Sequence, residues 1–258
     1  MQIVVDVGNT ETVVGLFRGR ELAFHWRLST VVPRTVDEYA HLLRSLLGDV
    51  EVGPADLEQA VLCSVVPESG EVLRVTLERV AAGVVHVVGP DSSLPIELDV
   101  EEPRTVGADR IVNTLAAREL YGRDTIAVDL GTATTFDLIT AEGVFCGGVI
   151  APGVSAGLEW LARRTAKLPR VELRPPERTI GRRTETCIQS GIFYSAVDAV
   201  DGIVRRIREE WEKEDPWVVA TGGYATVVGP HCATVQHVEP FLTLYGLVIA
   251  GEHYAGRG

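Results

Sequence analysis

The sequence predicts an α/β protein built from two related halves, each with a mixed β-sheet. Both halves begin with a short apolar strand that ends in an Asp-x-Gly turn, and the two turns are Asp6–Thr10 and Asp129–Thr135. Both halves continue into a hairpin and then alternate helices with strands, which indicates an internal repeat. Because hairpins are antiparallel and later strands return through helices, each sheet is expected to be mixed. We predict domains at residues 1–121 and 122–258.

The first half contains β-branched runs typical of strands and apolar residues at helical spacing. Strands are predicted at Gln2–Asp6, Thr12–Arg18, Glu21–Ser29, Ala60–Val66 and Val84–Val88, and helices at Asp37–Leu47, Glu68–Ala81 and Val106–Tyr121. The polar segment Asp91–Arg104 contains Pro95 and Pro103, so we interpret it as a loop.

The second half repeats this order. Strands are predicted at Thr125–Asp129, Thr135–Thr140, Val144–Ile150 and Trp217–Ala220, and helices at Val154–Ala166, Thr186–Lys213 and Leu242–Tyr254. The basic segment Arg174–Arg183 is expected to be a loop. The apolar stripe of the helix Thr186–Lys213 is wide, and we interpret it as a candidate dimer interface.

Composition excludes several classes of function. The formal net charge of −12 disfavours sequence-independent nucleic-acid binding, which needs cations against phosphate. The four cysteines have no zinc-ligand spacing, and no apolar run approaches the ~18 residues of a membrane span. No basic leader with a cleavage site follows Met1. We therefore expect a soluble cytoplasmic protein with neither nucleic-acid nor membrane partners.

The paired turns point to phosphate handling. Glycine lets main-chain N–H groups approach an anion closely, and Asn9 and the threonines add side-chain donors. An aspartate at the end of each strand would repel phosphate unless it holds a bridging cation. One such turn alone is usually an ordinary turn between the strands of a hairpin, but two turns at equivalent places favour phosphate binding. Neither a P-loop nor a Gly-x-Gly-x-x-Gly turn after a strand occurs.

A third glycine turn, Thr221–Tyr224, follows the strand Trp217–Ala220. It resembles the nucleoside-side turn of the actin, hexokinase and heat-shock-chaperone ATPase superfamily. That resemblance implies two actin-like (ribonuclease H-like) domains with five-stranded mixed sheets and a nucleotide cleft between them. Gly222 and Gly223 would then contact ATP, although a plain strand-to-helix turn would use the same residues.

The segment Val106–Arg110 combines an acid and a base where a loop enters a helix. Asp109 and Arg110 are adjacent, so on a helix they point about 100° apart and cannot form an intrahelical ion pair. In kinases an aspartate commonly orients the attacking hydroxyl and accepts its proton. On spacing alone, Asp109 could equally stabilise the first helical turn.

The ordered motifs resemble the type III pantothenate kinases over nearly the whole chain. They are Asp6–Thr10, Cys63–Pro67, Gly107–Arg110, Asp129–Thr135, Gly147–Gly153, Ala166–Pro169, Ile180–Thr184, Gln189–Gly191 and Thr221–Gly223. The resemblance implies ATP-dependent phosphorylation of pantothenate to 4′-phosphopantothenate, the first step of coenzyme A biosynthesis. It also implies Mg²⁺ with ATP, a monovalent cation (K⁺ or NH₄⁺) and a homodimer.

The same resemblance assigns roles residue by residue. Asp109 would be the general base, and pantothenate would contact Gly107, Ala108, Asp109, Arg110 and Thr184. ATP would contact Asp6, Val7, Gly8, Asn9, Thr10, Glu11, Thr12, Val13 and Thr132, and Asp129 would bind the monovalent cation.

Several positions depart from the family pattern, and Val100 is the one that favours an alternative function. Val100 stands where the family often has a substrate-lining tyrosine, and Tyr245 stands where glutamate is frequent. One rival is a different actin-fold kinase or phosphatase acting on another small hydroxyl compound. Another is a non-catalytic ATP-binding regulator, against which the presence of Asp6, Asp109 and Asp129 argues.

Overall fold

The computed structural model describes residues 1–164 and 168–256. The strands are β1 Gln2–Val7, β2 Glu11–Arg18, β3 Glu21–Ser29, β4 Gln59–Ser64, β5 Val84–Val88, β6 Glu97–Leu98, β7 Thr125–Leu130, β8 Ala133–Ile139, β9 Val144–Pro152, β10 Trp217–Thr221 and β11 His237–Val238. The α-helices are α1 Val36–Gly48, α2 Pro67–Val80, α3 Ala108–Tyr121, α4 Val154–Arg164, α5 Thr184–Glu210, α6 Ala225–Val228 and α7 Leu242–Ala255.

The strand order confirms the internal repeat. The first sheet runs β3-β2-β1-β4-β5, and the second contains β9-β8-β7-β10-β11 in the same arrangement. In each, the first three strands of the half pair antiparallel, and the two later strands add in parallel. Both sheets are therefore mixed, as the alternation of hairpins and helices predicted.

The second sheet has six strands where five were expected. The additional strand is β6, in the segment interpreted as a loop, and β11 is likewise absent from the predicted strands; each is two residues long. A strand this short carries too little periodicity to be predicted from sequence. The helix predicted at Val154–Ala166 is described as far as Arg164, and its end lies outside the described residues, as do Ala166 and Lys167 of one family motif.

The chain divides into two compact units. The first comprises Met1–Leu120 and the closing segment from Thr243, whereas the sequence repeat predicts that this segment belongs to the second domain. The core of the first unit is formed by aliphatic residues of β1, β2 and β4 with the inner faces of α1 and α2. Helix α1 starts with a capping box, in which Thr35 Oγ1 accepts from Glu38 N at 3.3 Å and Glu38 Oε2 accepts from Thr35 N at 2.7 Å.

The second unit, Tyr121–Leu242, has its own core. Its strands β7, β8 and β10 pack against α5, whose apolar stripe supplies Phe193, Val197, Val200 and Val204 to that core. The stripe interpreted as a dimer interface is thus largely buried inside the unit, which explains its width. Helix α5 ends at Glu210 rather than Lys213. Across the described residues, no helix is both long and apolar enough to cross a membrane.

Candidate active site

The first turn connects β1 to β2 and presents three exposed residues, Asn9, Thr10 and Glu11. Gly8 N donates to Glu11 O at 3.0 Å, and a Cβ at Gly8 would lie 2.9 Å from that same oxygen. Thr30 N donates to Thr10 O at 3.0 Å, which fixes the other side of the turn. The tight backbone therefore requires glycine at position 8.

Two residues predicted to contact ATP lie in the interior instead of at the surface of the turn. Val7 and Thr12 are fully buried. The Thr12 hydroxyl lies 2.8 Å from Thr30 Oγ1 and forms a buried hydrogen bond with it. Both side chains therefore support the turn from beneath, and Val13 lies next along β2, directly opposite Asp6.

Asp6 ends the apolar part of β1 and lies close enough to Asp109 for their charges to interact. The pKa of Asp6 is raised from 3.8 to about 7, mainly by burial and to a lesser extent by the negative charge of Asp109. A hydrogen bond from the Cys63 thiol opposes this rise. Burial likewise raises the pKa of Asp109, opposed by the Arg110 backbone N–H and charge. Two carboxylates that resist ionisation together are suited to a nearby cation or to proton transfer.

Asp109 lies in the first turn of α3, where Arg110 N donates to its Oδ1 at 2.8 Å. A Cβ at Gly107 would lie 2.5 Å from the same Oδ1, so a side chain at that position would displace the carboxylate. Ala108 is buried, and Arg110 is half-buried. The carboxylate therefore caps its own helix and is still partly open to solvent, so the two interpretations of Asp109 are compatible.

The second turn follows β7 and has an oxygen-rich surrounding. Asp129 is directly opposite Thr135 on β8 and Thr221 on β10, and directly opposed residues of a sheet project to the same face. Gly131 N donates to Ala133 O at 3.1 Å, and Thr132 is exposed. A Cβ at Gly153 would collide with the Thr132 carbonyl, so this turn packs tightly against the end of β9.

The third turn contacts the second one within the same unit. Gly222 has φ +89°, and a Cβ there would collide with Asp129 Oδ1. Tyr224 N donates to Leu130 O at 3.0 Å, and Gly223 is exposed. Glycine is thus needed at position 222 both for the backbone conformation and for the approach to Asp129.

The described part of each unit contains some of the predicted site residues. Asp6–Val13 and Gly107–Arg110 belong to the first unit, and Asp129, Thr132, Gly222 and Gly223 belong to the second. Thr184 is exposed at the first residue of α5, also in the second unit.

The donor sets fit hard cations. No group of three or more His, Cys, Asp or Glu side chains that could hold a metal occurs in residues 1–164 and 168–256. Thr135 and Thr221, which lie directly opposite Asp129, place hydroxyl groups on the same face of the sheet as its carboxylate, and such oxygens suit alkali and alkaline-earth ions and not zinc. Asp6, desolvated and repelled by a second carboxylate, would be relieved of its high pKa by a cation.

Comparison with known proteins decides the family. A family model described as type III pantothenate kinase matches residues 2–206. The chain belongs to the type III pantothenate kinase family. It is 45% identical over 249 residues to the type III pantothenate kinase of Syntrophotalea carbinolica, covering 96% of this chain and 97% of that protein. It is 44% identical over 252 residues to that of Moorella thermoacetica, covering 98% and 99%.

Solved structures with low identity show the fold. The ethanolamine utilization protein EutJ of Carboxydothermus hydrogenoformans has a TM-score of 0.58 at 18% identity, covering 96% of this chain and 89% of that one. The inorganic polyphosphate/ATP-glucomannokinase of Arthrobacter has a TM-score of 0.51 at 14% identity, covering 100% and 99%. This type III pantothenate kinase family member therefore has the actin-like α/β fold that the three glycine turns predicted.

Sequence reasoning assigned no role at the site to two residues, Thr30 and Cys63, although Cys63 begins one of the family motifs. Thr30 supports the first turn through Thr10 and Thr12, and Cys63 donates to Asp6 Oδ1 with Sγ 3.3 Å away. Burial raises the pKa of the Cys63 thiol well above its ordinary value, so the thiol stays protonated and can donate. Aligning β1 with β4 as parallel neighbours would have placed Cys63 beside Asp6.

Proposed function

We propose that this protein transfers the γ-phosphoryl group of ATP to the primary hydroxyl of pantothenate, forming 4′-phosphopantothenate and ADP, the first step of coenzyme A biosynthesis. The observation that carries this proposal is the pair Asp6 and Asp109, in which a phosphate-turn carboxylate lies within charge range of a carboxylate at a substrate-side helix start. Membership of the type III pantothenate kinase family supports the identity of the acceptor.

In the reaction, Asp109 accepts the hydroxyl proton while the hydroxyl oxygen bonds to the γ-phosphorus and the bond from that phosphorus to the β,γ-bridging oxygen breaks. ADP leaves with the electron pair of that bond. A raised pKa suits this role, because a base close to the operating pH transfers protons more readily than an ordinary carboxylate. Gly107, Ala108 and Arg110 would position pantothenate together with Thr184.

The turn residues Gly8, Asn9, Thr10 and Glu11 would bind the ATP phosphates, with Thr132, Gly222 and Gly223 as further nucleotide contacts. Val7, Thr12 and Val13 belong to the same segment, the first two as buried support. Asp6 would hold Mg²⁺, and Asp129 a monovalent cation, K⁺ or NH₄⁺, with oxygen donors around it. These ions would neutralise charge that develops on the transferred phosphoryl group.

We also propose a homodimer and a cytoplasmic location, both implied by the family. The second unit exposes large apolar side chains, Ile150, Trp160 and Ile180, at 66%, 61% and 82%. Exposed apolar residues of this size are typical of surfaces that meet a partner. Light scattering of the purified protein tests the dimer, and a monomer at micromolar concentration would reject it.

One assay tests the function. Purified protein with ATP, magnesium and pantothenate, in potassium and then in sodium buffer, should give 4′-phosphopantothenate by mass spectrometry, faster in potassium. Absence of product in potassium would reject the function, and equal rates in both buffers would reject only the cation role of Asp129.

Asp109→Asn in the same assay should lower turnover by about 10²–10⁴-fold. Asparagine can still accept the Arg110 N–H, so the helix cap is retained while the base is lost. Asp37→Asn is the matched control, since Asp37 also lies in the first turn of a helix but only pairs with Arg79 at the surface. A near-normal rate for Asp109→Asn would mean that Asp109 only stabilises the first turn of its helix and is not the general base.

A further inference from the structure

Cys63 lies on β4 directly opposite Asp6 in a parallel pair of strands. The cysteine is fully buried, and its Sγ is 3.3 Å from Asp6 Oδ1. Since a carboxylate only accepts hydrogen bonds, the thiol is the donor in this contact. The thiol therefore holds one oxygen of the carboxylate from the interior of the sheet.

The second unit has a hydroxyl at the equivalent place. Thr221 on β10 is directly opposite Asp129, as Cys63 on β4 is opposite Asp6. In both units the parallel neighbour therefore places a small neutral donor beside the turn aspartate. A lysine or arginine there would neutralise the carboxylate, whereas an apolar residue would leave a desolvated oxygen without its donor.

We propose that Cys63 is a positioning residue for Asp6, whose S–H holds Oδ1 and leaves Oδ2 as the oxygen available to the magnesium that accompanies ATP. This inference rests on the proposed function, because it assigns a purpose to Asp6 in binding Mg·ATP. The competing interpretation is that Cys63 only fills space, as a buried free cysteine often does.

Four variants separate these interpretations. Cys63→Ser keeps a donor, Cys63→Ala removes it, and Cys63→Val removes it while filling the volume. Cys232→Ala is the matched control, because Cys232 is also buried but donates to the Val228 carbonyl at 3.5 Å, in the other unit. Far-UV circular dichroism and thermal melting establish that each variant folds.

The measurement is calorimetric titration of each protein with a non-hydrolysable ATP analogue, with and without Mg²⁺. The ratio of the dissociation constant without Mg²⁺ to the dissociation constant with Mg²⁺ reports the magnesium-dependent part of binding. We expect that ratio to fall about tenfold in Cys63→Ala and Cys63→Val, since a hydrogen bond to a charged group is lost. Cys63→Ser should stay within about threefold of wild type, and Cys232→Ala should match it.

A space-filling role would lower melting temperatures without changing the ratio, so an unchanged ratio in the alanine and valine variants overturns the proposal. It is also overturned if Cys232→Ala changes the ratio equally, or if only the serine variant folds, which would make Cys63 a requirement of the fold. Because calorimetry needs no turnover, a wild-type protein that binds Mg²⁺ and the analogue but makes no 4′-phosphopantothenate would reject the proposed function without deciding this comparison.

Discussion

The fold of the first unit keeps the carboxylates of Asp6 and Asp109 partly buried and close enough for their charges to interact. In the unfolded chain Asp6 would titrate near 3.8, and in the folded protein the pKa of Asp6 is about 7. Between these values the native state binds more protons than the unfolded state, so the stability that Asp6 contributes is present below pH 3.8 and is lost as pH rises towards 7. The contribution of Asp6 to stability is therefore least favourable above pH 7 when no cation is bound.

Asp6→Asn should therefore stabilise the ligand-free protein at pH 8. A shift of this size corresponds to at most about 4 kcal/mol, and partial exposure reduces it, so we expect a gain of roughly 1–3 kcal/mol. Urea denaturation at pH 5 and pH 8 measures it, and the gain should shrink at pH 5 because wild-type Asp6 is then largely protonated. Asp99→Asn, at an exposed position, is the control. Equal stability of Asp6→Asn and wild type at pH 8 would show that the charge of Asp6 does not destabilise the folded protein.

At the scale of single residues, sequence reasoning found the acids and glycines but not their supports. Asp-x-Gly turns are local patterns, so Asp6 and Asp129 could be picked out directly. The family resemblance implies that Thr12 contacts ATP, but strand β2 turns the Thr12 side chain inward to Thr30. Which face a residue takes depends on register, and Cys63 depends on pairing with a strand more than fifty residues away.

At the scale of elements, the second unit depends on contact between two turns. Gly222 combines a left-handed backbone with close approach to Asp129 and the Leu130 backbone. An added methyl group must therefore move the carboxylate or the turn. Since neither the strand β7 nor the strand β10 can shift without breaking its ladder, the change is expected to be local strain.

Gly222→Ala should lower the free energy of unfolding by about 2–4 kcal/mol, the sum of left-handed strain and overpacking. The control is Gly19→Ala, whose glycine also has positive φ, +56°, but has nothing within 4 Å of an added Cβ. That variant should lose only about 1 kcal/mol. Chemical denaturation compares the two, and equal losses would mean that Asp129 accommodates the methyl group freely.

Most elements could be predicted because their periodicity is local. The Asp-x-Gly turns, for example, mark strand ends that the structure retains, since β1 ends at Val7 and β7 at Leu130. Strands β6 and β11, with two residues each, and helix α6, with four, hold too little pattern to be predicted. The width of the apolar stripe on α5 makes it a candidate dimer interface, but sequence does not tell which apolar partner covers a helix, and much of this stripe packs in the core of the second unit.

At the scale of the whole molecule, the repeat predicted two domains in chain order, whereas α7 packs as part of the first unit. Gln2 Nε2 donates to the Val248 carbonyl at 3.4 Å, and Thr243 Oγ1 donates to Asn113 Oδ1 at 2.9 Å. These long-range hydrogen bonds leave no signature in local spacing. Most residues of α7 from Leu242 to Gly251 are buried, as expected of a helix covered on more than one side.

Helix α7 approaches the first unit tightly at Gly246, where an added Cβ would collide with the Val112 backbone of α3. Gly246→Ala should therefore push α7 and α3 apart and lower stability by about 2–4 kcal/mol. Gly191→Ala, in α5 with nothing within 4 Å of its added Cβ, should be neutral or stabilising by about 0.5–1 kcal/mol, since alanine favours helix.

Hydrogen exchange distinguishes where the damage falls. If α7 is an integral part of the first unit, Gly246→Ala should speed exchange in α3, β1 and β2 while β7, β8 and β10 keep their protection. Because Val112 is about one helical turn from Asp109, turnover should fall together with that protection. Faster exchange confined to the second unit would instead assign α7 to the second domain, as the order of the repeat predicts.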